Sequence, residues 1–143
     1  MLSNTCKYAV RAAIYLALNT DKTSKVGIKV ISKELSIPSP FLAKILQVLA
    51  KHRLFSSTKG PNGGFGLLKD PFKITLYDIV NLFDGNDLFE KCLISLRSCK
   101  ESGNPCPMHG TYETIREQIK TMFKEQTIGS LANEIRMNHK IVI

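Results

Sequence analysis

The heptapeptide Lys59-Gly60-Pro61-Asn62-Gly63-Gly64-Phe65 limits the fold of this chain more than any other segment. Proline and clustered glycines interrupt helix and central strand alike, and Asn-Gly tolerates the positive φ angles that tight hairpins need. Strand-like runs flank it, Leu54 to Lys59 before and Phe65 to Leu68 after. The expectation is a two-stranded hairpin. A phosphate-binding loop is the rival for so many glycines, but no Gly-Lys-Ser/Thr opening a helix follows and G-x-G-x-x-G is absent.

What precedes the hairpin is helical. From Ser3 to Asn19, Cys6, Ala9, Val10, Ala13, Leu16 and Ala17 recur at three- and four-residue steps, with Ser3, Asn4 and Thr5 able to cap. The run Ile28 to Leu35, with Ile28, Ile31 and Leu35 at 3,4 spacing, predicts a short second helix that ends near Pro38, since proline disfavours helical geometry at Ile37. A third helix is expected to run to about His52, with Ser39 as its cap and Pro40 at its first position. Its apolar side would be Phe41, Leu42, Ile45, Leu46, Val48 and Leu49. Ser39, Ala43, Lys44, Gln47 and Lys51 would lie mostly on the other face.

Two short helices joined by a tight turn, followed by a hairpin, are the order of a winged helix-turn-helix, whose second helix enters the major groove of DNA. In that reading Gln47 pairs with adenine and Lys44 with guanine or phosphate. Lys59, Gly60 and Asn62 then sit on the wing, within reach of a phosphate or the minor groove. Charge agrees with this placement. The first 73 residues carry 12 Lys/Arg against 3 Asp/Glu, whereas the remainder carries 8 against 9. A polyanion gains most from the first half, where each neutralised phosphate releases counterions.

Beyond the hairpin, Thr75 to Phe83 reads as a capped helix with Leu76, Ile79, Val80 and Phe83 inward. Residues 85–110 turn to Gly, Asn, Ser, Pro and Cys, and so long a connection in a small domain is usually functional or disordered. It holds the pattern Cys92-x6-Cys99-x6-Cys106-Pro-Met-His109. Soft thiolates with an imidazole suit an iron–sulfur cluster or a Cys3His zinc site, and ligand type alone does not choose between them. A thiol–disulfide switch is a further alternative, although no C-x-x-C is present. Cys6, on the apolar stripe of the first helix, reads as a core residue.

A last long helix, about Thr111 to Gln126, carries Tyr112, Ile115, Ile119 and Met122 at 3,4,3 spacing. Glu113, Arg116, Glu117 and Lys120 surround this seam, which is able to pack against a second copy or to cover its own core. Thr127 would cap a short terminal helix, Ile128 to Ile135, with Met137 to Ile143 frayed. The fold expected is mainly α with a small β-hairpin, divided into a winged helix-turn-helix domain over 1–84, a cysteine-bearing loop over 85–110, and a dimerisation helix plus short helix over 111–143. Lys7 and Arg11 interrupt the first apolar stretch, and no run approaches the roughly 20 residues of a membrane helix. A cytoplasmic protein without membrane contact is therefore expected. His52, His109 and His139 form no constellation with a nucleophile and a carboxylate, so no catalysis is expected.

The segment Lys7-Tyr8-Ala9-Val10-Arg11-Ala12, the wing from Lys59 to Phe65 and the three later cysteines together resemble the Rrf-two (IscR/NsrR-like) family of bacterial regulators. The likeness spans nearly the whole chain. Family wings usually read Arg-Gly-Pro-x-Gly-Gly-aromatic, so Lys59 stands here for arginine and lacks its planar fork. The resemblance implies a homodimer on a near-palindromic double-stranded DNA operator that represses or activates promoters, with repression the reading adopted, and an iron–sulfur cluster of the 2Fe-2S or 4Fe-4S type sensing redox state, nitric oxide or iron–sulfur supply. It favours the cluster over zinc and places Cys92, Cys99 and Cys106 at the ligand positions. Some members carry a histidine where His109 stands, while nitric-oxide-sensing members use a carboxylate near the N-terminus, at the position of Tyr8 here. Tyr8 is no carboxylate, so His109 is taken as fourth ligand. Cluster-free regulators working through thiol oxidation or a protein partner, and an iron–sulfur redox or transfer protein, are the alternatives.

Overall fold

A computed structural model describes residues 1–95, 105–139 and 143. Helix α1 (Asn4–Asn19) is the central element, because its small Cys6, Ala9, Ala12, Ala13 and Ala17 let neighbouring helices approach closely while Ile14 and Leu16 fill the space between them. It packs against α2 (Ile28–Leu35), α3 (Ser39–Lys51), α4 (Leu76–Phe83) and α7 (Ile128–Met137). Its Ser3 cap accepts from the Cys6 amide, and Asp84, at the end of α4, accepts from the Ser3 amide and hydroxyl.

The α2–α3 turn is tight because Ser36 adopts the left-handed conformation, φ 54° and ψ 43°. Helix α2 thus spans Ile28 to Leu35, the run that the apolar spacing predicts, and stops shortly before Pro38. Ile37 is fully buried in the turn, its amide donating to Ser32 O at 3.0 Å, and Arg11 donates to Leu35 O at 2.9 Å from α1. The expected Ser39 cap is not formed. The carbonyl of Pro38 takes the first helical bonds, from the Phe41 and Leu42 amides, so Pro38 is the cap residue and no side chain caps α3. Pro40 remains in the first turn, where its missing N–H leaves no bond unmade.

The hairpin is observed as β1 (Phe55–Thr58) and β2 (Gly64–Leu67), antiparallel with Phe55 opposite Leu67 and Thr58 opposite Gly64. Its turn departs from the expectation. Asn62 and Gly63 do not supply the positive φ; Gly60 (φ 106°) and Gly64 (φ 155°) do, on either side of a turn closed by the Gly63 amide on Gly60 O at 2.9 Å. Pro61 follows Gly60 as the first central residue of that turn, where its fixed φ is already suitable. An isolated bridge lies beside this two-stranded sheet, Val26 exchanging two 2.8 Å bonds with Phe65.

Helix α4 has the expected Thr75 cap, as a reciprocal capping box with Asp78. The described part of the 85–110 stretch is less irregular than its composition suggests. It contains the short helix α5 (Asp87–Glu90), pinned by Phe89, which is buried between Tyr77 (ring centroids 4.9 Å apart) and Phe123 (5.6 Å). The last long helix, α6 (His109–Glu125), begins two residues before the expected start, and α7 reaches Met137 behind a Thr127–Ser130 capping box. Arg136 ties α7 to α1 by donating to Ala17 O at 2.8 Å. Among the described residues no helix is long and apolar enough to cross a membrane.

Candidate nucleic-acid interface and cysteine centre

Helix α3 buries a narrower stripe than its periodicity suggests: Leu42, Ile45, Leu46 and Leu49 face the core. Val48 is half-buried. Phe41 is exposed, packing edge-on against Tyr8 with centroids 5.7 Å apart, because it lies at the helix start beyond the reach of the core. Lys44, Gln47 and Lys51 are exposed along the helix, with Pro40 exposed and Ser39 half-buried at its N-terminus. Lys59, Gly60 and Asn62 are exposed on the wing. The surface of α3 is thus lined with amide and cation donors, and the wing adds an exposed cation and amide of its own. Donors of these kinds suit phosphates and base edges.

The wing is held to the body rather than free. The Val26–Phe65 pair joins it to the segment entering α2, and Lys25 Nζ donates to Ser56 Oγ on β1. Sequence reasoning missed both contacts, since a single bridging residue leaves no periodic signal. Lys25 was hidden among polar loop residues for the same reason.

The second site gathers at the N-terminus of α6. Cys92 Sγ and Cys106 Sγ lie 3.2 Å apart, both residues half-buried. Two thiolates bound at about 2.3 Å to one tetrahedral ion would stand about 3.8 Å apart, so the pair needs to open by only about half an ångström to share a metal. His109 follows directly, its amide donating to Cys106 O at 2.9 Å. Its Nδ1 is buried with no hydrogen-bond partner, while Nε2 faces Glu113 Oε2 at 3.2 Å. A buried ring nitrogen left bare is a costly arrangement that ligation relieves. Cys99 lies outside the described residues. Among the described ones no group of three or more His, Cys, Asp or Glu side chains stands close enough to hold a metal ion. The donor types nonetheless suit a thiolate-bound iron–sulfur group. Cys6 is of a different kind, fully buried, with burial foremost and then the charge of Asp84 pushing its thiol up to about 12. It is a core thiol.

The four residues of the expected seam divide. Ile115 and Met122 are exposed, at 48% and 49%. Ile119 packs on the core of its own chain, and Tyr112 is half-buried beneath the Arg116 guanidinium, 5.8 Å from the ring centroid. Arg116, one of the charged residues around the seam, is buried at 4% exposure. Its NH1 group lies 3.4 Å from the Lys91 carbonyl, across a sequence gap that no local pattern spans.

Residues 2–134 match the profile of the Rrf2 family, described as "Iron-dependent Transcriptional regulator". The chain is 44% identical over 134 residues to a "Putative HTH-type transcriptional regulator" of Aquifex aeolicus, covering 93% of this chain and 92% of that one. It is 29% identical over 132 residues to the HTH-type transcriptional regulator IscR of Klebsiella pneumoniae, covering 92% and 79%. Among solved structures it is similar to CymR, the global cysteine regulator of B. subtilis, with a TM-score of 0.76 at 22% identity over 94% of this chain and 97% of the other. That likeness shows the winged-helix fold alone. These proteins are regulators, not enzymes, and on the profile match and its relatives this chain belongs to the Rrf2 family of DNA-binding transcription regulators.

Proposed function

We propose that the chain represses transcription as a homodimer whose hold on its operator depends on an iron–sulfur cluster bound by Cys92, Cys99, Cys106 and His109. The observation that carries this reading is a close thiol pair, Cys92 with Cys106, the latter three residues before a histidine whose ring nitrogen is buried and bare. The iron dependence in the family description supports it. When bound, the cluster supplies iron that reacts to oxygen, nitric oxide or iron shortage. The chain's own part is mechanical. Helix α6 packs on α4 and α5, and α4 on α1, against which α3 rests, so a constraint at the cysteines reaches the groove-reading helix through packed elements.

The exposed Ile115 and Met122 on α6 are the anchors for a second copy. A twofold pairing there would set the two α3 helices on successive half-sites of a near-palindromic duplex. Ile115→Glu is expected to yield monomers by light scattering and to lose operator binding.

Anaerobic purification followed by absorbance, iron, sulfide and zinc analysis tests the cofactor. Visible absorbance with stoichiometric iron and sulfide is expected, lost on changing Cys92, Cys99 and Cys106 together to alanine. A protein holding only zinc, or a triple variant that still holds iron and sulfide, would overturn the assignment. If metal is absent and oxidation alone changes DNA binding, the close Cys92–Cys106 pair acts as a thiol switch instead.

A further inference from the structure

We infer that Glu113 and Arg116 form a positioning pair that selects Nδ1 of His109 as its donor atom and fastens the cysteine segment to α6. This rests on His109 being a ligand, as proposed above. Residues 109, 113 and 116 follow one another at helical steps of four and three, so they line one face of α6. A carboxylate only accepts, so the ring nitrogen facing Glu113 Oε2 at 3.2 Å carries the hydrogen. In that tautomer the lone pair is on Nδ1, the atom that is buried without a partner. Metal-binding histidines are usually oriented in this way, by a carboxylate on the nitrogen that does not bind.

Arg116 holds the other end. One guanidinium nitrogen lies 3.9 Å from Glu113 Oε1, the second carboxylate oxygen, and the other is 3.4 Å from the carbonyl of Lys91, the residue before Cys92. The side chain is buried against Tyr112, and its Nε has no partner. A buried cation with an unmatched donor sets a positive charge beside the backbone that leads into Cys92. Lysine at this position keeps the charge but cannot reach the carboxylate and the carbonyl together.

The test uses the full-length metal-free protein. Nitrogen-15 NMR of the imidazoles, with the exposed His52 and His139 as internal references, is expected to show His109 as the Nε2–H tautomer, a state retained in Glu113→Gln and mixed in Glu113→Ala. Cobalt(II) titration, read by its ligand-field absorbance, is expected to weaken by about 10- to 100-fold in Glu113→Ala. Arg116→Met is expected to weaken binding, with Arg116→Lys only partly restoring it, while circular dichroism and melting confirm that each variant is folded. An Nδ1–H tautomer in the parent protein overturns the inference. So does unchanged cobalt affinity in Glu113→Ala when His109→Ala has lost it. Unchanged affinity in His109→Ala itself overturns the ligand reading beneath it, a distinguishable result.

Discussion

Replacing Gly64 by alanine would drive a methyl group into the backbone that anchors the wing. An ideal Cβ there stands 2.4 Å from Val26 O and 2.6 Å from Val26 C, where ordinary contact begins at 3.4 Å, so the two segments must part by about 1 Å. That displacement breaks the paired 2.8 Å bonds between Val26 and Phe65. At about 1 kcal/mol net for each bond and about 1–3 kcal/mol for the strained backbone at φ 155°, the loss is about 3–5 kcal/mol. Urea unfolding followed by circular dichroism measures it, and gel-shift titration on duplex DNA reads the effect on the wing. Two other glycines serve as controls. Gly60→Ala meets no atom within 4 Å but sits at φ 106°, so only backbone strain of about 1–3 kcal/mol applies. Gly27→Ala, in open space at φ −67°, is expected to be neutral or slightly stabilising. A loss at Gly64 below about 1 kcal/mol, or no greater than at Gly60, would refute the reasoning that steric anchoring fixes the wing.

Gln47→Ala is expected to relax base preference in gel-shift competition, whereas Lys59→Ala should weaken all duplexes alike and reduce the salt slope by about one. Neither variant changing DNA affinity would remove α3 and the wing from the interface. Cys6 is expected to resist alkylation at pH 8 in the native protein and to react on unfolding in urea, as mass spectrometry of the labelled chain will show. Since its folded value of about 12 lies above the ordinary 9.0, the unfolded thiol ionises first, so stability should be full below about pH 9 and decline above it. The Asp21 carboxyl, held down to about 2 first by the Thr23 and Ser24 amides, behaves oppositely. Its contribution should be present above the ordinary 3.8 and fade as pH falls towards 2, a trend that an NMR titration of Asp21 and an acid melt of Asp21→Asn will check.

The order of helices and hairpin was largely legible in the sequence because its signals are local. Apolar spacing located α1 and α2, Thr75 and Thr127 marked helix starts, and the Gly-Pro-Asn-Gly-Gly run marked the wing. The errors lie where a local rule met a neighbour. Phe41 fits the apolar stripe of α3 by spacing, yet projects beyond the core onto Tyr8. Composition suggested a loop around residue 90, but Phe89 finds Tyr77 and Phe123.

The sequence by itself determined the order of helices and hairpin, the basic first half and the cysteine-bearing segment, since propensity, charge and ligand chemistry belong to single residues and their spacing. The tertiary structure alone decided which apolar residues of α6 face inward, Ile119 to the core with Ile115 and Met122 left outside. It alone buried Arg116 against the Lys91 carbonyl and turned His109 so that one nitrogen meets Glu113 and the other is enclosed. Burial and pairing are relations between segments far apart in the chain, and they come into being only when the core closes.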